Sequence, residues 1–178
     1  MRLTRLPLAF YLTARRLGVR MSREVLVVSV AAQRLTLFAD HGRQAVRTLI
    51  ASTSRFGTGQ AADSNRTPLG LHRVARKIGG GWPIGTVFKS RQPVGLTWNG
   101  QPEATIAHRI LWLEGLEPGF NRGGTVDTFA RYIYIHGVGN ETTLGRPASC
   151  GCVHLAASDL LPLYDRLPVG TLVWITGD

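Results

Sequence analysis

Lysine is almost absent from this chain. Lys77 and Lys89 are the only two, so the formal charge of +10 is carried almost wholly by arginine against 11 acidic residues. That balance favours polyanionic partners: nucleic acid, acidic lipid or an anionic cell-wall polymer. The basic residues are scattered from Arg2 to Arg166, however, and no run is denser than Arg15-Arg16. No zinc-finger spacing, RNA-binding aromatic signature or basic heptad helix accompanies them, so no specific nucleic-acid partner is expected. Cysteine is equally scarce. Cys150 and Cys152 lie two residues apart and cannot staple distant parts of a fold, which excludes a disulfide framework and leaves the redox compartment unread. No apolar stretch approaches the roughly 20 residues of a membrane-spanning helix, so no transmembrane span is expected.

What is present fits one domain. A chain of 178 residues with 44% hydrophobic content can bury a substantial core. Residues 1–22 read as a leader of uncertain role: Met1 to Arg5 is basic, and Leu6 to Ala14 is apolar. The pattern faintly resembles a secretory signal, but Arg15-Arg16 follows with no small-x-small cleavage site. An amphipathic leader and a true start at Met21 stay open beside it. Residues 23–178 then form the domain.

Its pattern is of many short strands. Glu24 to Val30 is a β-branched and leucine run, and Arg34–Phe38 with Gln44–Ala51 flanks the turn Asp40 to Arg43 as a hairpin. Ser52 to Asn65 reads as a surface loop. Strands are expected over Leu71–Lys77, Thr105–Leu113, Arg131–Ile135 and Thr171–Ile175. Turns are expected over Gln92–Glu103, and a long glycine-rich loop over Glu114–Thr128. Ser158-Asp159 can cap one short helix running to about Leu167, with Pro162 in its first turn. This predicts a mainly β sandwich or barrel with one or few short helices.

The chemistry concentrates in two stretches. Tyr132 to Ile135 delivers His136-Gly137 to a strand end, and Cys152 follows His136 by sixteen positions within Ser149-Cys150-Gly151-Cys152-Val153-His154. The segment between them holds Gly139, Asn140, Gly145 and Pro147, loop chemistry able to fold back. A thiol attacks as thiolate, and a nearby imidazole can take its proton. Backbone N–H groups at Gly151 and Cys152 are candidates for stabilising an oxyanion.

His136-Gly137 followed by Ser149-x-Gly151-Cys152-Val153 resembles the signature of the L,D-transpeptidases, the YkuD-like family. Gln33 to Phe38, Thr67-Pro68-Leu69-Gly70, Gly145 to Ser149 and Gly170 to Ile175 fall in the family's order, so the likeness spans roughly residues 24 to 176. Two positions depart from it: Cys150 stands where the family usually has a histidine, and His154 where it usually has arginine. The resemblance implies a β-rich fold with Cys152 as nucleophile and His136 as base. It implies acyl transfer from a peptidoglycan stem peptide ending in D-alanine to an acceptor amine, in the bacterial cell envelope, with no cofactor or metal. Hydrolysis of the same stems and non-catalytic wall binding are the alternatives. Substrate contacts are expected from Gly137, Arg146, Ser149, Cys150 and His154, and the chain is expected to act as a monomer.

Each candidate has a plainer reading. Cys152 alone reads as a buried structural thiol and His136 as a hydrogen-bonded strand-end histidine. Cys150, Cys152, His154 and His136 also make a candidate zinc set, but Cys-x-Cys-x-His matches known ligand spacings poorly. Cys150 reads as a filler for the missing histidine, or as a redox partner of Cys152. His41, His72 and His108 read as surface or structural, Thr67 to Gly70 as a turn, and Trp82, Trp98 and Trp112 as core.

Overall fold

The computed structural model describes residues 3–178; Met1 and Arg2 of the leader lie outside them. In chain order the elements are α1 (Leu8–Arg16), β1 (Val25–Ser29), β2 (Arg34–Ala39), β3 (Gln44–Ser52), β4 (Gly70–Ile78), β5 (Thr86–Lys89) and β6 (Gln92–Leu96). Then follow β7 (Ala107–Gly115), β8 (Tyr134–Gly137), β9 (Val153–Leu155), α2 (Ala157–Arg166) and β10 (Leu172–Thr176). The strands run β4-β10-β1-β2-β3-β9-β8-β7, and β4 then pairs with β7 to close the sheet on itself. β5 and β6 form a hairpin held on β7 through Val87 and Ala107. The expected mainly β, barrel-like fold with few helices is the observed one.

Strand alternation sorts the side chains. Leu26, Val28, Leu111, Leu113, Val173 and Ile175 turn inward, where Leu160, Leu163 and Tyr164 of α2 and Leu167 just after it complete the main core. Val25, Val27, Leu172 and Trp174 turn outward and are covered by Phe10 and Ala14 of α1. β1 is an unbroken apolar run because both its faces are buried. Full burial of Phe10 alone contributes on the order of 2 kcal/mol. Arg16 then pairs with the buried Glu117 at 2.8 Å, and Glu117 Oε1 accepts the Leu71 N–H. Much of the expected leader is thus a packed part of the described structure.

Several local readings differ from the structure. The turn region Gln92–Glu103 contains β6, because the reversal occurs earlier, at Ser90 and Arg91, with φ of 49° and 68°. Pro93 is tolerated because β6 is an edge strand. Ser158 and Asp159 lie inside α2 and do not cap it; the Ala157 N–H goes to Glu141 Oε1 at 2.7 Å, and Asp159 pairs with Arg47. Pro162 sits in the second turn. Trp82 and Trp98 are exposed, and only Trp112 of the three packs inside. β8 begins at Tyr134, since Tyr132 takes a positive φ of 56°. No helix among the described residues is long and apolar enough to cross a membrane.

His72 and His108 are structural, as read. His72 is fully buried, donates Nδ1–H to the Gly70 carbonyl at 3.0 Å, and leaves Nε2 unpartnered. Burial pushes its pKa down from 6.5 to about 4. Between those values the unfolded chain binds a proton that the folded chain refuses, so stability present at neutral pH is lost as pH falls through that window, by about 3 kcal/mol for this group. Thermal unfolding should show the melting temperature dropping between pH 6.5 and 4. His72→Leu should lessen that drop without abolishing it, whatever its effect at pH 7, because burial also lowers the pKa of His136 and His154 into or below the same window.

Candidate active site

β8 runs antiparallel to β7 and parallel to β9, with Ile135 level with Val153 and His136 level with His154. Ile135, Val153 and Leu155 turn into the core. Tyr134, His136 and His154 therefore share the opposite face, and the His136 and His154 rings lie 4.7 Å apart. Gly137 is required by close packing, because a Cβ there would meet His108 Cδ2 at 2.5 Å and the Ala107 carbonyl at 2.9 Å. His136 Nδ1–H donates to the Gly137 carbonyl at 2.8 Å, which fixes the tautomer and leaves Nε2 as the basic nitrogen. Burial, then the neighbouring His154, lowers the His136 pKa to about 3.

Cys152 immediately precedes β9, level with Tyr134. Its Sγ accepts the Tyr134 N–H at 3.4 Å, and its S–H points to the Tyr132 carbonyl at 3.5 Å. Burial raises the thiol to about 11, opposed by the Tyr134 N–H and, more weakly, by Arg131. The resting pair is a neutral thiol and a neutral imidazole. Parallel register sets His136 two residues further along than Cys152, about 6.6 Å on the strand axis. Among the described residues no hydrogen bond joins the two. One face carries both groups, and moving a proton from the thiol to the imidazole is uphill in the resting domain.

The loop before Cys152 is tied down from several sides. Ser149 Oγ donates to the Cys152 carbonyl at 2.6 Å and accepts the Gly151 N–H at 3.2 Å. Thr67 Oγ1 accepts the Ser54 N–H at 3.0 Å and donates to the Gly151 carbonyl at 3.1 Å. Of the two N–H groups expected to face an oxyanion, that of Gly151 is thus engaged by Ser149, and that of Cys152 makes no hydrogen bond among the described residues. Gly151 has a φ of +115°, which admits glycine most readily.

Cys150 is exposed and lines a cleft of about 220 Å³ with Asp63, Asn65, Asp127, Arg131 and Tyr132. His154 is half-buried, its Nδ1 lacks a partner, and burial lowers its pKa to about 4. Arg146 is exposed, forms no ion pair among the described residues, and lies outside the cleft. Cys150, Cys152, His154 and His136 do not converge as a ligand set; no group of three such side chains does among the described residues.

Two residues were missed in the sequence. Thr67 reads as part of a turn, yet its hydroxyl is the strut under the loop before Cys152. Arg131 carries no motif signal at all. Its guanidinium donates to the carbonyls of Gly59, Gln60 and Arg66 and to Ser64 Oγ, so four of its five donors hold the loop that walls the cleft.

A closed, mainly β barrel bearing a thiol and an imidazole on one outer face, beside a loop-walled cleft, is the class that fold and site define. Within it the chain belongs to the L,D-transpeptidase catalytic domain (YkuD) family, whose model matches residues 23–175. It is similar to the Bacillus subtilis (strain 168) protein named "Putative L,D-transpeptidase YqjB", 33% identical over 79 residues, covering 44% of this chain and 39% of that protein. An L,D-transpeptidase from Mycobacterium smegmatis shares the fold at a TM-score of 0.54 and 17% identity, over 86% of this chain and 58% of that one. L,D-transpeptidase 3 from Mycobacterium tuberculosis, solved with a faropenem-derived adduct, gives 0.54 and 16%, over 86% and 60%. The chain spans less than two thirds of the length of each of these relatives.

Two outcomes test this geometry. At pH 7 iodoacetamide should modify exposed Cys150 first; labelling of Cys152, followed by peptide mass spectrometry, should rise about tenfold per pH unit up to about pH 11, where the thiol ionises. Thr67→Val removes two buried hydrogen bonds and should cost about 1–3 kcal/mol in urea unfolding.

Proposed function

We propose that this domain is a cysteine acyltransferase acting on peptidoglycan stem peptides in the bacterial cell envelope. The observation that carries the reading is the arrangement of Cys152 and His136 on one face, with His136 held by the Gly137 carbonyl so that Nε2 is free to accept a proton. Cys152 attacks the carbonyl that joins the third stem residue to a terminal D-alanine, and its proton passes to His136 Nε2. The Cys152 N–H faces the developing oxyanion. The C–N bond breaks, the leaving D-alanine amine takes the proton back from His136, and a thioester remains. An amine from a neighbouring stem then attacks the thioester, closing a new peptide bond and restoring the thiol. Attack and proton transfer proceed together, so the negative charge develops on the substrate oxygen and a free buried thiolate need not form. No cofactor or metal takes part, and the chain acts as a monomer.

The support is family membership together with the site geometry. Incubation with a purified tetrapeptide stem should release D-alanine, detected by mass spectrometry, and Cys152→Ala should abolish release with the fold intact. Undiminished release in that variant would sink the mechanism. A trimmed tripeptide without any cross-linked dimer would mark the enzyme as a hydrolase, and peptide binding without release would mark a binding domain.

A further inference from the structure

The proposed substrate ends in a free carboxylate one residue beyond the bond that breaks, so a cation belongs within a residue's length of the thiol. The arginines near Cys152 differ in what they have left to offer. Arg131 has four of its five donors committed to the cleft wall. Arg146 stands away from the cleft. Arg91 is different. It occupies the tight turn between β5 and β6, where φ values of 49° and 68° at Ser90 and Arg91 fix the backbone. Its guanidinium carbon lies 5.3 Å from the Trp112 ring centre and 4.9 Å from that of Tyr132.

Those rings belong to the residues that hold the nucleophile. The Tyr132 carbonyl accepts the Cys152 thiol, Trp112 pairs across strands with Tyr134, and the Tyr134 N–H donates to Cys152 Sγ. Stacking uses the flat face of a guanidinium and leaves its N–H edge for a bidentate partner. Among the described residues Arg91 forms no ion pair; its guanidinium hydrogen-bonds the Tyr134 hydroxyl, and its remaining N–H groups are left for an incoming partner. Arg76, 5.7 Å from Trp112 and 5.4 Å from Phe129, adds a second uncompensated charge to the same aromatic shelf. Burying the stems of two arginines on aromatic rings beside a nucleophile, with no acid to neutralise them, is an arrangement awaiting an anion.

We infer that Arg91 recognises the C-terminal carboxylate of the donor peptide, so that the domain selects chains ending in a free α-carboxylate; this rests on the acyl-transfer reading above. With the carboxylate on Arg91, the carbonyl one residue back is presented to Cys152. Arg76 supplies long-range attraction, and Arg91 supplies the contact.

The test compares an acetylated tetrapeptide stem ending in D-alanine with its C-terminal carboxamide, using the full chain as wild type, Arg91→Gln and Arg91→Lys. Wild type should favour the acid by about tenfold in kcat/KM, expressed mainly in KM, as expected of one charge-assisted contact. Arg91→Gln should erase that preference. Arg91→Lys should keep part of it, since lysine offers the charge without the fork. Equal treatment of acid and amide by the wild type, or an undiminished preference in Arg91→Gln, would overturn the inference. Calorimetric titration of both peptides into Cys152→Ala and into Cys152→Ala/Arg91→Gln measures the same preference without turnover. Preferential binding that depends on Arg91, with no D-alanine released by the wild type, would support Arg91 and reject acyl transfer; release without preference would do the reverse.

Discussion

The pairing of β4 with β7 is the constraint on which the rest depends. It converts a ribbon of strands into a closed wall, so that β4 and β7, the ends of the strand order, are no longer edges. Closure fixes the register of β8 against β7 and of β9 against β8. Once the register is fixed, the two-residue period of a strand decides which side chains face the core and which face the chemistry. His136 stands outside because Ile135 stands inside.

Much of this was legible beforehand. The hydrophobic runs of β1, β2 and β10 announced themselves by composition, and the His-Gly and Ser-x-Gly-Cys stretches by their residue types. What stayed hidden depends on contacts between distant segments. The β6 edge strand carries Pro93 and Gly95 and so looks like a turn. Ser158 and Asp159 have the right chemistry for a cap, but a carboxylate from Glu141 reached the Ala157 N–H instead. Thr67 and Arg131 act through carbonyl groups that the fold brings from elsewhere, and no local pattern marks such partners. Trp82 and Trp98 look like core on residue type alone, and residue type does not say whether a loop side chain faces water.

The site keeps its thiol neutral at rest. Burial penalises the thiolate and the imidazolium alike, so neither ion forms in the resting domain, and Arg131 offsets this only weakly at the thiol. A partly buried neutral thiol reacts slowly with adventitious electrophiles, while the exposed Cys150 beside it is the more accessible sulfur. The cleft wall, hung from Arg131, and the loop before Cys152, propped by Thr67, give the thiol a fixed frame. On the proposed reading, selectivity falls to side chains at the rim, where charge is uncompensated.

The pairing of β1 with β10 has a consequence in time. Val25 and Leu172 are neighbours in the sheet although 147 positions separate them in sequence. β10 also carries β4 on its other side, so both flanks of the wall wait for the same late strand. During synthesis the early hairpin of β2 and β3 can form as it leaves the ribosome, but the wall cannot close until the last strand has emerged. Contacts of such range make folding slow and leave apolar strand faces uncovered meanwhile. The thiol and imidazole acquire their final setting only at the end of that process, so an incomplete chain carries both residues without the site.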